Sequence, residues 1–128
     1  MRIFNRRDRE AWDIEKPLRQ LAANDDPLIA GKGQKLLALV RYLQSKGPAP
    51  EASGSVWRDE LWLSPFPPAH RVSLHIGLDW KDYGRLHDGL PVMHYRIRIW
   101  RQDEVTTTDE RTYLPEEVER IICEAFKT

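Results

Sequence analysis

The sequence predicts an α+β fold: a small antiparallel sheet of three to four strands, packed against two N-terminal helices and one C-terminal helix. Three observations carry this. Apolar residues recur at helical spacing near both ends of the chain. Two segments in the middle alternate strictly between apolar and polar residues. A Gly-, Pro- and Ser-rich stretch at 47–55 separates the helical part from the strand-rich part. At 128 residues the chain has the length of one domain. The expected organisation of residues 1–128 is a helical part at about 8–46, the loop at 47–55, a strand-rich part at 56–113 and a helix at 115–127.

The first helical segment covers about 8–23, with Ala11, Ile14, Leu18, Leu21 and Ala22 on one stripe. Pro17 lies inside it, so either a first turn ends at Lys16 or the helix kinks there. The second helix starts at Pro27, for which Asp26 is a good N-cap. It runs to about 46 and buries Ile29, Leu36, Val40 and Leu43. Gly31 and Gly33 weaken its first half by about 1 kcal/mol each relative to alanine. Gly47-Pro48 is a strong stop.

Residues 56–63 read as a short strand or a helical turn. Arg71 to Asp79 is the clearest strand: Val72, Leu74, Ile76 and Leu78 alternate with polar residues and Gly77. Residues 80–91 read as a loop with two glycines. Met93, Tyr95, Ile97 and Ile99 then alternate with His94, Arg96, Arg98 and Trp100. Val105 to Tyr113, rich in threonine, reads as a polar edge strand. The last helix opens at Pro115 with Glu116 and Glu117 in its first turn, favourable to the helix dipole. Val118, Ile121, Ile122, Ala125 and Phe126 form its apolar stripe. A winged helix is the competing architecture. It would make 67–80 a recognition helix, against the alternation from 71 to 79.

Alternation constrains pairing. If the two strands are antiparallel neighbours, opposed residues must sum to an odd number for the apolar sets to share a face. A sum of 171 places Ile76 opposite Tyr95, Leu74 opposite Ile97 and His75 opposite Arg96. The polar face then gathers Arg71, Ser73, His75, Asp79, His94, Arg96, Arg98 and Trp100, of which Arg71, His75, His94, Arg96, Arg98 and Trp100 form a candidate nucleic-acid or anion site. Trp57, Trp62 and Phe66, beside a proline run, form a candidate protein interface, because Trp is enriched at binding hot spots.

Twenty Lys and Arg balance twenty Asp and Glu. This excludes a uniformly basic nucleic-acid binder and an acidic tail protein. The balance is a sum of unequal parts: +4 over residues 1–50, +1 over 51–102 and −5 over 103–128. A local basic site is therefore compatible with a neutral chain. A single cysteine, Cys123, excludes a disulfide framework and a multi-cysteine zinc site. The four histidines have no metal-ligand spacing, so no metal is expected. Gly31-Lys32-Gly33-Gln34-Lys35 lacks the phosphate-loop pattern, and no cofactor motif appears. The longest apolar run, 36–40, is too short to span a bilayer, and no secretory leader is seen, so a cytoplasmic protein without membrane contact is expected.

The leading functional expectation is a protein-interaction or accessory module without catalytic activity, self-associating or bound to a partner through its tryptophans. The alternative is a nucleic-acid-binding regulator using the basic sheet face, with Arg2, Arg6 and Arg7, or a winged helix. A third reading makes His75 a general base, with Arg96 and Arg98 stabilising a phosphoryl transition state. The order of elements resembles that of small ribonuclease toxins of the RelE type, which use arginines and other polar residues on a similar small sheet. That resemblance is one of fold alone and assigns no residue.

Overall fold

The computed structural model describes residues 1–5, 13–66, 72–80, 86–87, 90–91, 93–102, 104–107 and 114–127. The elements are, in order, β1 (Arg2–Asn5), α1 (Glu15–Ala22), α2 (Pro27–Ser45), β2 (Glu51–Trp57), β3 (Glu60–Pro65), β4 (Val72–Trp80), β5 (Leu86–His87), β6 (Leu90–Pro91), β7 (Met93–Arg101), β8 (Glu104–Thr107) and α3 (Pro115–Phe126). The class is α+β, as the patterning requires. The sheet is larger than three to four strands and is mixed. Six strands lie in the order β1-β2-β3-β4-β7-β8, and β1 pairs parallel to β2. Strands β5 and β6 form a separate two-residue ladder.

The helix starts follow local chemistry. Asp26 accepts a hydrogen bond from the Leu28 N–H at 2.9 Å, with Pro27 at the first helical position. Glu15 opens α1, so Pro17 falls in the first turn, where no intrahelical donor is needed. The helix is neither ended nor interrupted by it. The N-terminal half of the expected 8–23 segment lies outside the described residues. Helix α3 begins at Pro115, and the Glu117 carboxylate accepts from the Leu114 N–H at 3.2 Å.

Two boundaries move. The 47–55 stretch is not all loop: from Glu51 it is β2. Its Gly54 faces the core, where a Cβ would lie 2.8 Å from Ile3 Cγ2 and 3.1 Å from Ile14 Cδ1. Glycine there admits close packing instead of marking a linker. Residues 56–63 are neither one strand nor a helical turn; they hold the turn of the β2–β3 hairpin.

Alternation sorts the sheet into two faces. The inner one carries Ile3, Ala52, Leu61, Leu63, Leu74, Ile76, Tyr95 and Ile97, which form one cluster with Leu18, Leu36, Leu39, Leu43, Val118 and Ile122 of the helices. The Tyr95 hydroxyl donates to the Lys35 carbonyl at 3.3 Å, and burial pushes its pKa up to about 12. All three helices thus cover one face. Among the described residues, no helix or strand covers the other.

The β4–β7 pair is antiparallel over nine residues, with opposed residues summing to 173. The parity is the expected one; the register is two residues away from 171. Ile76 therefore faces Ile97 instead of Tyr95, Leu74 faces Ile99 instead of Ile97, and His75 faces Arg98 instead of Arg96. A two-residue shift keeps every side chain on its face, so the pattern alone does not distinguish the two registers. Because Val72–Trp80 is a strand, no recognition helix exists there and the winged-helix alternative falls.

Candidate functional site: the open face of the sheet

The open face is built by the strand positions that alternate with the core. Strand β2 contributes Ser53, Ser55 and Trp57; β3 contributes Glu60, Trp62 and Ser64; β4 contributes Ser73, His75, Gly77 and Asp79; β7 contributes His94, Arg96, Arg98 and Trp100; β8 contributes Val105 and Thr107. The two groups expected as separate sites, an anion face and an aromatic interface, therefore share one surface. Arg71 lies outside the described residues.

Four rings run obliquely across four strands. Trp62 sits opposite His75 in the β3–β4 pairing, and their rings stack with centroids 3.9 Å apart and planes 3° from parallel. Trp57 flanks Trp62 at 6.0 Å, and Trp100 flanks His75 at 5.5 Å. Val105, opposite Trp100 on β8, continues the line. The two central rings have neighbours on both sides, so they offer no open face to a nucleobase. The ends are more exposed: Trp57 is 47% exposed, Val105 44% and Trp100 37%. Phe66 is 46% exposed but stands apart from the row, packed on Phe4 with ring centroids 4.9 Å apart.

The arginines lie where the alternation places them, yet they are not a free basic patch. Glu60 holds both. Its carboxylate accepts from Arg98 Nη2 at 2.7 and 3.0 Å and from Arg96 Nη2 at 3.3 Å. Arg96 Nη1 donates to Asp79 at 2.5 Å. Two guanidinium groups thus meet two carboxylates on the same face. The geometry depends on Gly77, which pairs with Arg96. A Cβ at Gly77 would lie 2.6 Å from Arg96 Nη2 and 3.3 Å from Glu60 Oε2. The glycine lets Arg96 lie across β4 and reach β3.

Neither Glu60 nor Gly77 stands out in the sequence. Glu60 adjoins a turn, and its partners are 36 and 38 residues away. One signal existed: an acidic residue at an outward position of a hairpin that must neighbour an arginine-bearing strand pair. Reading it required knowing that β3 pairs with β4.

His75 is half-buried. Burial lowers its pKa from the ordinary histidine value, and Arg98 acts in the same direction, while Glu60 opposes them. The face therefore holds a neutral imidazole near neutral pH. His94 lies opposite Asp79 at the far end of the β4–β7 pair, away from the row. The geometry does not join His75 to a second base or to an unoccupied arginine. Among the described residues, no group of three His, Cys, Asp or Glu side chains is placed to hold a metal ion. Cys123 lies half-buried on α3, and burial raises its thiol pKa. No described helix is long and apolar enough to cross a membrane.

No protein-family model matches this chain, and neither a curated protein nor a solved structure matches it.

Proposed function

We propose that this chain is a non-catalytic binding module whose open sheet face docks on a protein surface. The observation that carries this is the oblique aromatic row, Trp57, Trp62, His75 and Trp100, exposed at both ends on the face that the helices leave bare. Large rigid aromatics beside arginines are the residue types that dominate protein-binding hot spots. Exposed tryptophans on a β-face also cost a soluble protein solubility unless something covers them.

The charge arrangement favours a protein over a nucleic acid. A phosphate approaching Arg96 or Arg98 would have to compete with Glu60 and Asp79, which already hold both Nη groups of Arg96 and Nη2 of Arg98. Such binding would show a steep salt dependence, as nucleic-acid affinity does.

The test is comparative capture from native lysate. Wild type is immobilised beside Trp57→Ser/Trp100→Ser and beside Arg120→Glu, an exposed change on α3. The expected result is a protein retained by wild type and Arg120→Glu and lost by the double variant. Retention that ignores the tryptophans sinks the proposal. So does tight, salt-sensitive capture of an oligonucleotide by the wild-type face with no protein retained.

A further inference from the structure

We infer that Arg98 and His75 form a site for one carboxylate of the docking partner, an Asp or Glu side chain, and that seating it draws a proton onto His75. The inference rests on the protein-docking reading above and adds the chemistry of the contact.

Arg98 is held but not used up. Glu60 takes only its Nη2, at 2.7 and 3.0 Å. Among the described residues, Nη1 has no acceptor, and neither ring nitrogen of His75 has a hydrogen-bond partner. The donors sealed from solvent without a partner on this face are Trp62 Nε1, Arg96 Nε and Arg98 Nε, so Arg98 Nη1 and the imidazole nitrogens remain open to a ligand. Arg96 differs, because both its Nη groups are taken. His75 and Arg98 lie directly opposite each other in the β4–β7 pair, which sets their Cβ atoms about 5 Å apart. Trp62 and Trp100 flank the imidazole and leave its edge to the ligand. Donors at this cross-strand spacing suit the two oxygens of one carboxylate. Glu60, on Nη2, holds the guanidinium in place for it.

A charge count explains the proton. Around His75, the charged groups on the described strands are Glu60 on β3, Asp79 on β4, and Arg96 and Arg98 on β7, with His94 opposite Asp79 at the far end. Two guanidinium groups balance two carboxylates. A third carboxylate leaves the cluster one charge negative, and a proton on His75 restores the balance. Without the ligand, burial and Arg98 keep the ring neutral. With it, the imidazolium donates a charge-assisted hydrogen bond. By linkage, affinity for a carboxylate rises as pH falls toward about 5.5, where Asp and Glu side chains are still ionised. A phosphate dianion would leave the cluster negative even then. A nucleic-acid strand needs a series of free cations, and this cluster offers one arginine with half its fork open.

The experiment is an NMR titration of His75 in the full chain, its imidazole signal assigned with His75→Phe. The probe is acetylated, amidated tetraglutamate. It should move the titration midpoint of His75 upward. It should also bind about tenfold more tightly at pH 5.5 than at pH 7.5, since one proton taken up gives at most about tenfold per unit. Tetraglutamine should do neither. Arg98→Lys keeps a cation on Glu60 but lacks the second nitrogen, and should lose about fivefold in affinity at pH 5.5. His75→Phe should abolish the pH dependence, and either variant suffices if the other does not fold. Arg120→Gln removes one positive charge from α3 and should change nothing. An unchanged His75 titration overturns the inference, as does equal affinity at both pH values or full binding by Arg98→Lys. So does a dodecathymidylate that moves His75 more than tetraglutamate. If the probe fails while Trp57→Ser/Trp100→Ser still loses a captured protein, the carboxylate site falls and the docking reading stands. If the probe binds as expected and no protein is captured, the docking reading falls and the carboxylate site stands.

Discussion

Trp62 and His75 stack face to face across the β3–β4 pair, 3.9 Å between ring centroids and 3° from parallel. The stack joins the aromatic row to the charged flank, because His75 also lies directly opposite Arg98 in the β4–β7 pair.

That contact gives a pH dependence with a definite sign. Burial lowers the folded-state pKa of His75 below its ordinary value of 6.5. The unfolded chain then binds a proton more readily than the folded one, so the neutral ring contributes stability that is fully present above 6.5 and lost as pH falls through the window below it. The melting temperature of wild type should therefore fall between pH 7.5 and 5.5 more than that of His75→Phe, which keeps a ring on Trp62. Parallel melting curves would remove the assignment.

Glu60 neutralises two half-buried arginines. Glu60→Gln keeps the shape and removes the charge. It should cost on the order of 1–2 kcal/mol of stability, less than a fully buried pair would, because the guanidinium groups are about a third exposed. It should also raise low-salt affinity for a single-stranded oligonucleotide above that of wild type, measured by fluorescence anisotropy, since the released arginines become available to phosphate. Equal affinity would show that Glu60 does not hold them in check.

Gly77 is the crossing point for Arg96. Gly77→Val should displace the Arg96 side chain from Glu60, because Cβ would meet Arg96 Nη2 at 2.6 Å. A double-mutant cycle with Glu60→Gln reads the coupling. The expected interaction energy is about 0.5–1 kcal/mol, and additivity would contradict the geometry.

Gly33 lets α2 approach the end of α1. A Cβ there would clash with the Ala22 backbone and lie 2.7 Å from the Leu21 carbonyl carbon. Gly33→Ala gains about 1 kcal/mol of helix propensity. Backbone cannot step aside as a flexible side chain does, so the overpacking should outweigh that gain, for a net loss of about 1–2 kcal/mol in urea denaturation. A stabilised variant would mean that the helices separate freely.

Arg58, in the β2–β3 turn, has φ of 55°, a left-handed conformation that a long side chain adopts at a cost. Arg58→Asn should stabilise the protein by roughly 0.5–1 kcal/mol, because asparagine accepts that conformation. Thermal unfolding reads the gain, and an unchanged or lower melting temperature counts against it.

The sequence by itself determined which side of the sheet each residue of the two long strands takes. Val72 to Leu78 and Met93 to Ile99 alternate, and a period of two leaves a side chain only two choices. It likewise determined the helix starts at Pro27 and Pro115, which depend on adjacent residues. Only the tertiary structure decided offsets and long-range partners. Period two is blind to a two-residue shift, so His75 meets Arg98 and not Arg96. The four residues of β1 are too few to show a period, and their parallel pairing with β2 spans the intervening helices. Gly54 reads locally as a loop residue and is a core contact only because Ile3, Ile14 and Leu63 converge on it. The candidate site shows the same division. Its arginines and aromatics were legible as residues of one kind on one face. That Glu60 ties the arginines down, 36 and 38 residues away, and that Trp62 and Trp100 join His75 in one row, follows from which strands lie side by side, and local pattern carries no information about that.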